Sequence, residues 1–493
     1  MNTNMMVVEN KGKELLAWLR PYAIPFLCLF LLYSFGISAI VRANVYYIDD
    51  VQRATDGMRG WSNYSRYIND YLSAILHTDT YLTDLSPFTQ WLAALFMAAA
   101  GTALLAVFQP TGQKIGCMAI VALIPFGLSP YFLQCYSYKF DAPYMALSVL
   151  AMVFPLLFHR QKWWVYGAVS LCATLVMCMT YQASSGIYPM LVLFLCLAEW
   201  KKGVPFRKCA GFATLSALWY LLANLLFRYG IMREMHSYAS TATLPTERLL
   251  SGFIVNLKKY GQHIAMEFRW EWLVLIGVVA LCFLYVSLRD TKQKRWLTLL
   301  MTLCVACVGF VLSYGGYLFL QKPLYSPRAL YGFGIWIAMF TLGVSTCKRA
   351  YVGKLVCLVL CYAFFSFAIS YGNALYMQKQ YTEYTAQSVA TALCEAYPDA
   401  QDGQVTVYIQ APTTKAPRVE NYPEHQVLLK RLTQTPFSQG SYFAHFLLQG
   451  YVGYDTFHYS DALHDDLYQL PITKNTLQYC IRGNDTTAFV QLK

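Results

Sequence analysis

Charge is what this chain has least of. Asp, Glu, Lys and Arg make up 13% of its 493 residues, where a soluble protein carries about a quarter. Beside a 57% hydrophobic and 16% aromatic content and a mean hydropathy of +0.37, that scarcity excludes a disordered chain, a fibre and an ordinary cytosolic enzyme. Familiar catalytic signatures are also missing. There is no Walker A sequence, no dinucleotide-type glycine pattern after a strand, no G-x-S-x-G and no H-E-x-x-H. Nothing therefore points to nucleotide hydrolysis or to a soluble nucleotide-sugar site. No fixed-period repeat suggests a solenoid. Nor are there paired Gly- or Pro-broken helices in matching halves, the usual pointer to a transporter.

What the chain does have is apolar length. Eleven runs, at about 22–41, 87–108, 115–133, 141–158, 163–180, 185–199, 209–227, 271–288, 296–320, 329–346 and 354–371, read as crossings of a ~30 Å hydrocarbon core. The class is a polytopic α-helical membrane protein with about eleven transmembrane helices, and the lipid bilayer is its first partner. The net charge of +12 is not a nucleic-acid footprint. From Asn373 onward acids outnumber bases, so the positive excess sits in short connections between apolar runs. Alternate connections hold Lys11, Lys13 and Arg20; Lys114; Arg160 and Lys162; Lys201, Lys202, Arg207 and Lys208; Arg289, Lys292, Lys294 and Arg295; Lys348, Arg349 and Lys354. By the positive-inside rule those loops and the N-terminus are cytoplasmic, and an odd number of crossings puts the C-terminus outside.

This divides the chain into a membrane domain, 1–372, and an extracytoplasmic C-terminal domain, 373–493. The latter reads as a small α/β unit: a helix over Tyr381–Tyr397, a strand at Val405–Gln410, a helix near Glu424–Leu432 and a strand at Ala488–Leu492. Its two cysteines, Cys394 and Cys480, are candidates for a bridge in an oxidising compartment. Within the first outer loop, 42–86, the residues Trp61, Tyr64, Tyr67, Ile68, Tyr71, Leu72, Ile75 and Leu76 recur at helical spacing. They predict an amphipathic helix lying in the interface.

Chemistry concentrates on the outer side. Asp49 and Asp50 stand together just beyond the first run, with Arg53 three residues on, and Asp84 closes the same loop. An Asp here serves equally as a helix cap or as a carboxylate that takes a proton from an incoming hydroxyl. Lys139 and Asp141 open the fourth run, Tyr181 and Gln182 follow the fifth, and Arg328 opens the tenth. Lys139 and Arg328 are cations on the side that the positive-inside rule depletes. A snorkelling anchor explains them, and so does an anionic lipid head group.

In order along the chain, these motifs resemble the signature of the bacterial serotype-converting O-antigen glucosyltransferases: Asp49-Asp50 with Arg53, Asp84 with Pro87, Lys139 with Asp141, Tyr181-Gln182 and Pro327-Arg328. The likeness spans about residues 30–372. It implies a GT-C architecture in the bacterial inner membrane and a polyprenyl-phosphate sugar, undecaprenyl phosphate glucose, as donor. It implies a surface glycan such as the O-antigen of lipopolysaccharide as acceptor, and serotype conversion as the outcome. It further implies Asp49 as base, with Asp50 and Asp84 positioning acceptor or base. Arg53, Lys139 and Arg328 would bind the donor phosphate, and Asp141, Tyr181 and Gln182 the substrate. A monophosphate leaving group requires neither metal nor cofactor. Three rival readings remain open: a flippase or exporter of lipid-linked glycan, a polysaccharide polymerase, and an integral acyltransferase, which would want a catalytic His near its donor.

Overall fold

The computed structural model describes residues 2–109, 114–233, 242–347, 349–400, 403–411, 415–437, 442–453, 456–460 and 462–493. Lys348 lies outside them. Among the described residues, seven helices are long and apolar enough to cross a bilayer: Leu19–Gly36, Phe88–Phe108, Gln182–Lys201, Phe206–Ile231, Trp270–Arg289, Arg295–Leu312 and Tyr351–Ala396. Four shorter apolar helical stretches, Cys117–Gly127, Ala142–Phe158, Trp163–Cys178 and Gly332–Ser345, fall on the other four expected runs. The first helix shows how lipid selects a face. Ile24, Leu27, Leu31 and Phe35 form an exposed stripe at spacings of three and four, while Leu29 and Tyr33 are fully buried. An outward apolar stripe of this length is tolerable only against lipid.

The run expected as one helix over 115–133 is instead a series of short turns: Cys117–Val121, Ile124–Gly127 and, beyond it, Leu133–Ser137. Almost every residue from Ala119 to Ala146 is buried. Irregular backbone at membrane depth leaves polar groups that lipid cannot satisfy, so it survives only when wrapped in protein. Here Tyr33 donates a hydrogen bond to the Leu123 carbonyl at 2.9 Å. This buried, broken segment ends at Tyr138–Asp141, and so delivers those residues to the loop that holds Asp50 and Asp84. A second close approach shapes the turn after Tyr181. A Cβ on Gly186 would stand 1.7 Å from the Leu312 carbonyl oxygen, so only glycine lets the two segments touch.

The 42–86 loop departs from the expected single interfacial helix. It forms a helix over Asp49–Asp56, a 3₁₀ turn over Trp61–Tyr64 and a helix over Tyr67–His77. The last of these turns its polar residues inward. Asn69, Ser73 and His77, one per turn, are buried, whereas Tyr71 and Ile75 are exposed. Trp61 packs with Leu82, Phe140 and Tyr144 in a small core of its own.

The expected helix over Tyr381–Tyr397 is the far end of one 46-residue helix, Tyr351–Ala396. At 1.5 Å per residue it is about 69 Å long, twice what a crossing needs. Its first half faces outward with Leu355, Leu358 and Tyr362. Its second half enters the core of the C-terminal sheet through Ala386, Val389, Ala390 and Leu393. Among the described residues the sheet has five strands: β1 (Val405–Gln410), β2 (Phe457–Ser460), β3 (Ile472–Asn475), β4 (Tyr479–Asn484) and β5 (Thr487–Leu492). They lie in the order β2-β1-β5-β4-β3. β1 runs parallel to β2 and β5, and β4 antiparallel to β3 and β5. Cys394 is exposed on the long helix and Cys480 buried in β4, both as free thiols, so the expected bridge is absent.

Candidate active site

Two adjacent acids begin the helix Asp49–Asp56. Neighbours on a helix point about 100° apart, so one must face the protein and the other away. The chain enters through Asn44 and Ile48, both with positive φ, 48° and 52°. A left-handed conformation strains a β-branched residue such as Ile48, and it aims the helix start so that Asp50 points inward.

Asp50 is fully buried. Its Oδ2 accepts the backbone N–H groups of Lys139, at 2.8 Å, and Tyr47, at 3.1 Å. Its Oδ1 accepts the N–H of Phe140 at 3.4 Å. Burial pushes this carboxyl up to about 8, against the pull of those N–H donors. It is therefore mostly protonated at neutral pH and joins the outer loop to the Tyr138–Asp141 segment. Asp49 differs. Its side chain is 39% exposed, and its Oδ2 lies 3.9 Å from Nη1 of Arg328.

The other two acids are each held by a cation. Asp84 Oδ2 accepts from Lys139 Nζ at 2.7 Å, and its Oδ1 from the Ser86 N–H at 2.8 Å. Burial opposes its ionisation, but these hydrogen bonds prevail and hold Asp84 below the usual carboxylate range. The Lys139 ammonium also sits 4.0 Å above the Tyr46 ring. Asp141 is ion-paired with Arg53 and accepts Trp61 Nε1 at 2.6 Å, while the Arg53 guanidinium stacks 4.5 Å over the Trp61 ring. Arg53 is desolvated by burial, yet the Asp141 and Asp49 carboxylates offset this and keep it charged.

Arg328 donates to the Tyr138 hydroxyl. Its backbone N–H reaches Gln134 Oε1 at 2.6 Å. Tyr181, buried beside it, donates to the Arg328 carbonyl at 3.2 Å. Gln182 accepts from Arg66 Nε at 3.3 Å. All nine residues expected from the sequence thus meet in one cluster at one end of the bundle. Arg66 and Gln134 were not among them. Arg66 lies against the faces of Tyr181 and Tyr64, at 4.9 and 5.4 Å, with no carboxylate among its contacts to described residues. Its sequence signal was a cation set between Tyr64 and Tyr67 on the side poor in basic residues. Gln134, inside an apolar run, gave no signal.

The two forms of Asp50 are separable by pH. Between about 4, the ordinary carboxyl value, and about 8, the folded chain holds a proton here that the unfolded chain has lost. Stability from this site therefore falls as pH rises through that window and is gone above it. Asp50→Asn imitates the protonated form. Unfolding of purified protein followed at pH 6.5 and pH 9 should show a smaller alkaline loss for the variant than for wild type. Equal losses would mean that Asp50 is ionised throughout.

Residues 38–342 match the family described as Glucosyl transferase GtrII, a stretch holding every residue of the site. A protein of Salmonella phage P22, described as "Uncharacterized 55.3 kDa protein in gtrB 5'region", is 24% identical over 177 residues. That alignment covers 35% of this chain and 35% of the phage protein, so the chain spans about a third of the length of the curated relative it matches. No solved structure matches.

Proposed function

The chain belongs to the GtrII glucosyl transferase family, and from that premise we propose that it is a membrane glycosyltransferase of GT-C type. It moves a hexose, glucose, from a polyprenyl-phosphate sugar to a hydroxyl of a surface glycan such as O-antigen, on the outer face of the bacterial inner membrane.

The observation that carries the reading is the inequality of the four acids. Asp50 is buried and protonated, Asp84 is held by Lys139 and Asp141 by Arg53. Asp49 alone of the four combines a carboxylate 39% exposed with an arginine 3.9 Å away, within ion-pair reach but too far for a hydrogen bond. In the proposed reaction an acceptor hydroxyl attacks the anomeric carbon and gives its proton to Asp49. The new C–O bond forms as the bond from that carbon to the phosphate oxygen breaks. The electron pair leaves on the polyprenyl phosphate, whose growing charge Arg328 meets, with Arg66 on the other side of Tyr181. Arg53 and Lys139, engaged with their own acids, act by holding the cluster together, and the phosphate role expected of them passes to Arg328 and Arg66.

The test is transfer of radiolabelled glucose from polyprenyl-phosphate glucose into surface glycan by membranes holding the wild-type chain. No label in glycan, with lipid-linked glycan nonetheless crossing the bilayer, would favour a flippase. Topology offers a separate check. Reporter tags at Gln161 and Gln293 should read as cytoplasmic and a tag after Lys493 as outside, following the basic loops. A cytoplasmic C-terminus would put the acids on the wrong face for this donor and acceptor.

A further inference from the structure

We propose that residues 427–435 of the C-terminal domain act as a strap that sets the spacing between Asp49 and Arg328, with Arg431 and Leu432 as its positioning residues. The inference rests on the catalytic reading above and adds to it a part of the chain beyond the family match, which ends at 342.

Consecutive strap residues hold the two halves of the site. The Leu432 carbonyl accepts the Tyr47 hydroxyl at 2.7 Å and the Tyr371 hydroxyl at 3.3 Å. Tyr47 is two residues before Asp49, and its own N–H binds the Asp50 carboxyl. Arg431 donates through Nη2 to the Tyr325 carbonyl at 2.5 Å, three residues before Arg328, and it forms an ion pair with the buried Glu267. Glu267 in turn faces His263, at 3.0 Å, and that imidazole stacks on Tyr325.

One side chain closes the circuit. Gln134 donates through Nε2 to the Tyr47 hydroxyl at 3.1 Å, and its Oε1 accepts the Arg328 N–H and, at 2.9 Å, the Ser326 hydroxyl. The Asp49 turn and the Arg328 turn are therefore tied to one amide and to two neighbouring strap residues, with no covalent link shorter than hundreds of residues between them. Leu428, Leu429 and Leu432 anchor the strap by burial. The helix Tyr442–Val452, further along the same domain, packs on the helix Asp49–Asp56. A network of this kind is stiff because each buried polar group loses its partner if one member moves. A shift of ~1 Å between base and phosphate ligand is enough to cost about 10²-fold in rate.

The test uses two mild variants of the full-length protein. Arg431→Lys keeps a cation for Glu267, which would otherwise be a buried unpaired charge, but cannot span both partners. Tyr47→Phe removes one hydroxyl and leaves the ring in place. Both should lower kcat about tenfold or more while the donor KM stays within about twofold, because the groups touch no substrate. Hydrogen–deuterium exchange should quicken in 44–56 and in 324–330, and remain as in wild type across β1, β4 and β5. A merely destabilised domain would instead exchange faster in the sheet, and that result overturns the proposal. So does unchanged exchange at both catalytic turns. If exchange behaves as expected but the wild-type chain transfers no sugar, the strap stands and the glycosyltransferase reading falls.

Discussion

Asp49→Asn should abolish most sugar transfer, by roughly 10²–10⁴-fold in kcat, with expression and membrane insertion close to normal. The substitution keeps the shape of the side chain and removes its basicity. Asp49 is part-exposed at the start of a helix and its carboxylate makes a 3.9 Å contact to Arg328, so little packing depends on it and the fold should tolerate the change. Asp50→Asn is the comparison that gives the result meaning. Asp50 is already mostly protonated at neutral pH, and an Asn there still offers an oxygen to the Lys139 N–H. Transfer by Asp50→Asn should stay within about tenfold of wild type. A reversed order, with Asp50→Asn dead and Asp49→Asn active, would exchange the two roles. If Asp49, Asp50 and Asp84 all tolerate Asn, the outer loop is not the catalytic centre and the carboxylate-base mechanism fails.

Arg328→Ala should lower kcat/KM for the lipid-phosphate donor by about 10²–10³-fold, the scale seen when one donor to a developing oxyanion is removed. In the proposed reaction the donor phosphate carries one charge before transfer and gains a second as the sugar leaves. An arginine facing it therefore contributes to donor binding and more to the transition state, so both KM and kcat should change. Arg328→Lys should recover part of the loss, since a point charge remains but the planar fork does not. Two structural consequences need control. The guanidinium also holds the Tyr138 hydroxyl, so Tyr138→Phe measures what that contact is worth by itself. The Arg328 backbone N–H bond to Gln134 survives any side-chain change and should keep the turn in place. Should Arg328→Ala transfer sugar at the wild-type rate while Arg66→Ala does not, Arg66 is the principal phosphate ligand.

Much of the site was legible in the sequence because polar residues at membrane boundaries are costly and therefore conspicuous. Asp49, Asp50, Asp84, Lys139, Asp141 and Arg328 stood out against apolar neighbours, and they do converge. Their pairing was not legible. That Lys139 serves Asp84 and Arg53 serves Asp141 depends on how segments 55 and 88 residues apart meet, and one-dimensional spacing carries no such information. Gln134 was invisible for the opposite reason. A single amide in an apolar run looks like tolerated polarity until Tyr47, Ser326 and Arg328 are seen around it. The expected break after 372 had a physical basis in the change of composition there. Yet no proline follows until Pro398, and Gly372 serves close packing against Ala39 and Ile40, so the helix runs on.

By itself the sequence determined the solvent of this protein, the number and place of its apolar runs, and which polar residues lie at their ends. Those properties follow from local composition and length, which each segment carries with it. Only the tertiary structure decided which of two adjacent acids is a buried joint and which a part-exposed carboxylate. It alone turned the 115–133 run into protein-wrapped turns and brought Arg431 and Leu432 onto Tyr325 and Tyr47. Each of those outcomes is set by what packs against a residue from elsewhere in the chain, and burial by a distant neighbour is what gives Asp49 and Asp50 different chemistry.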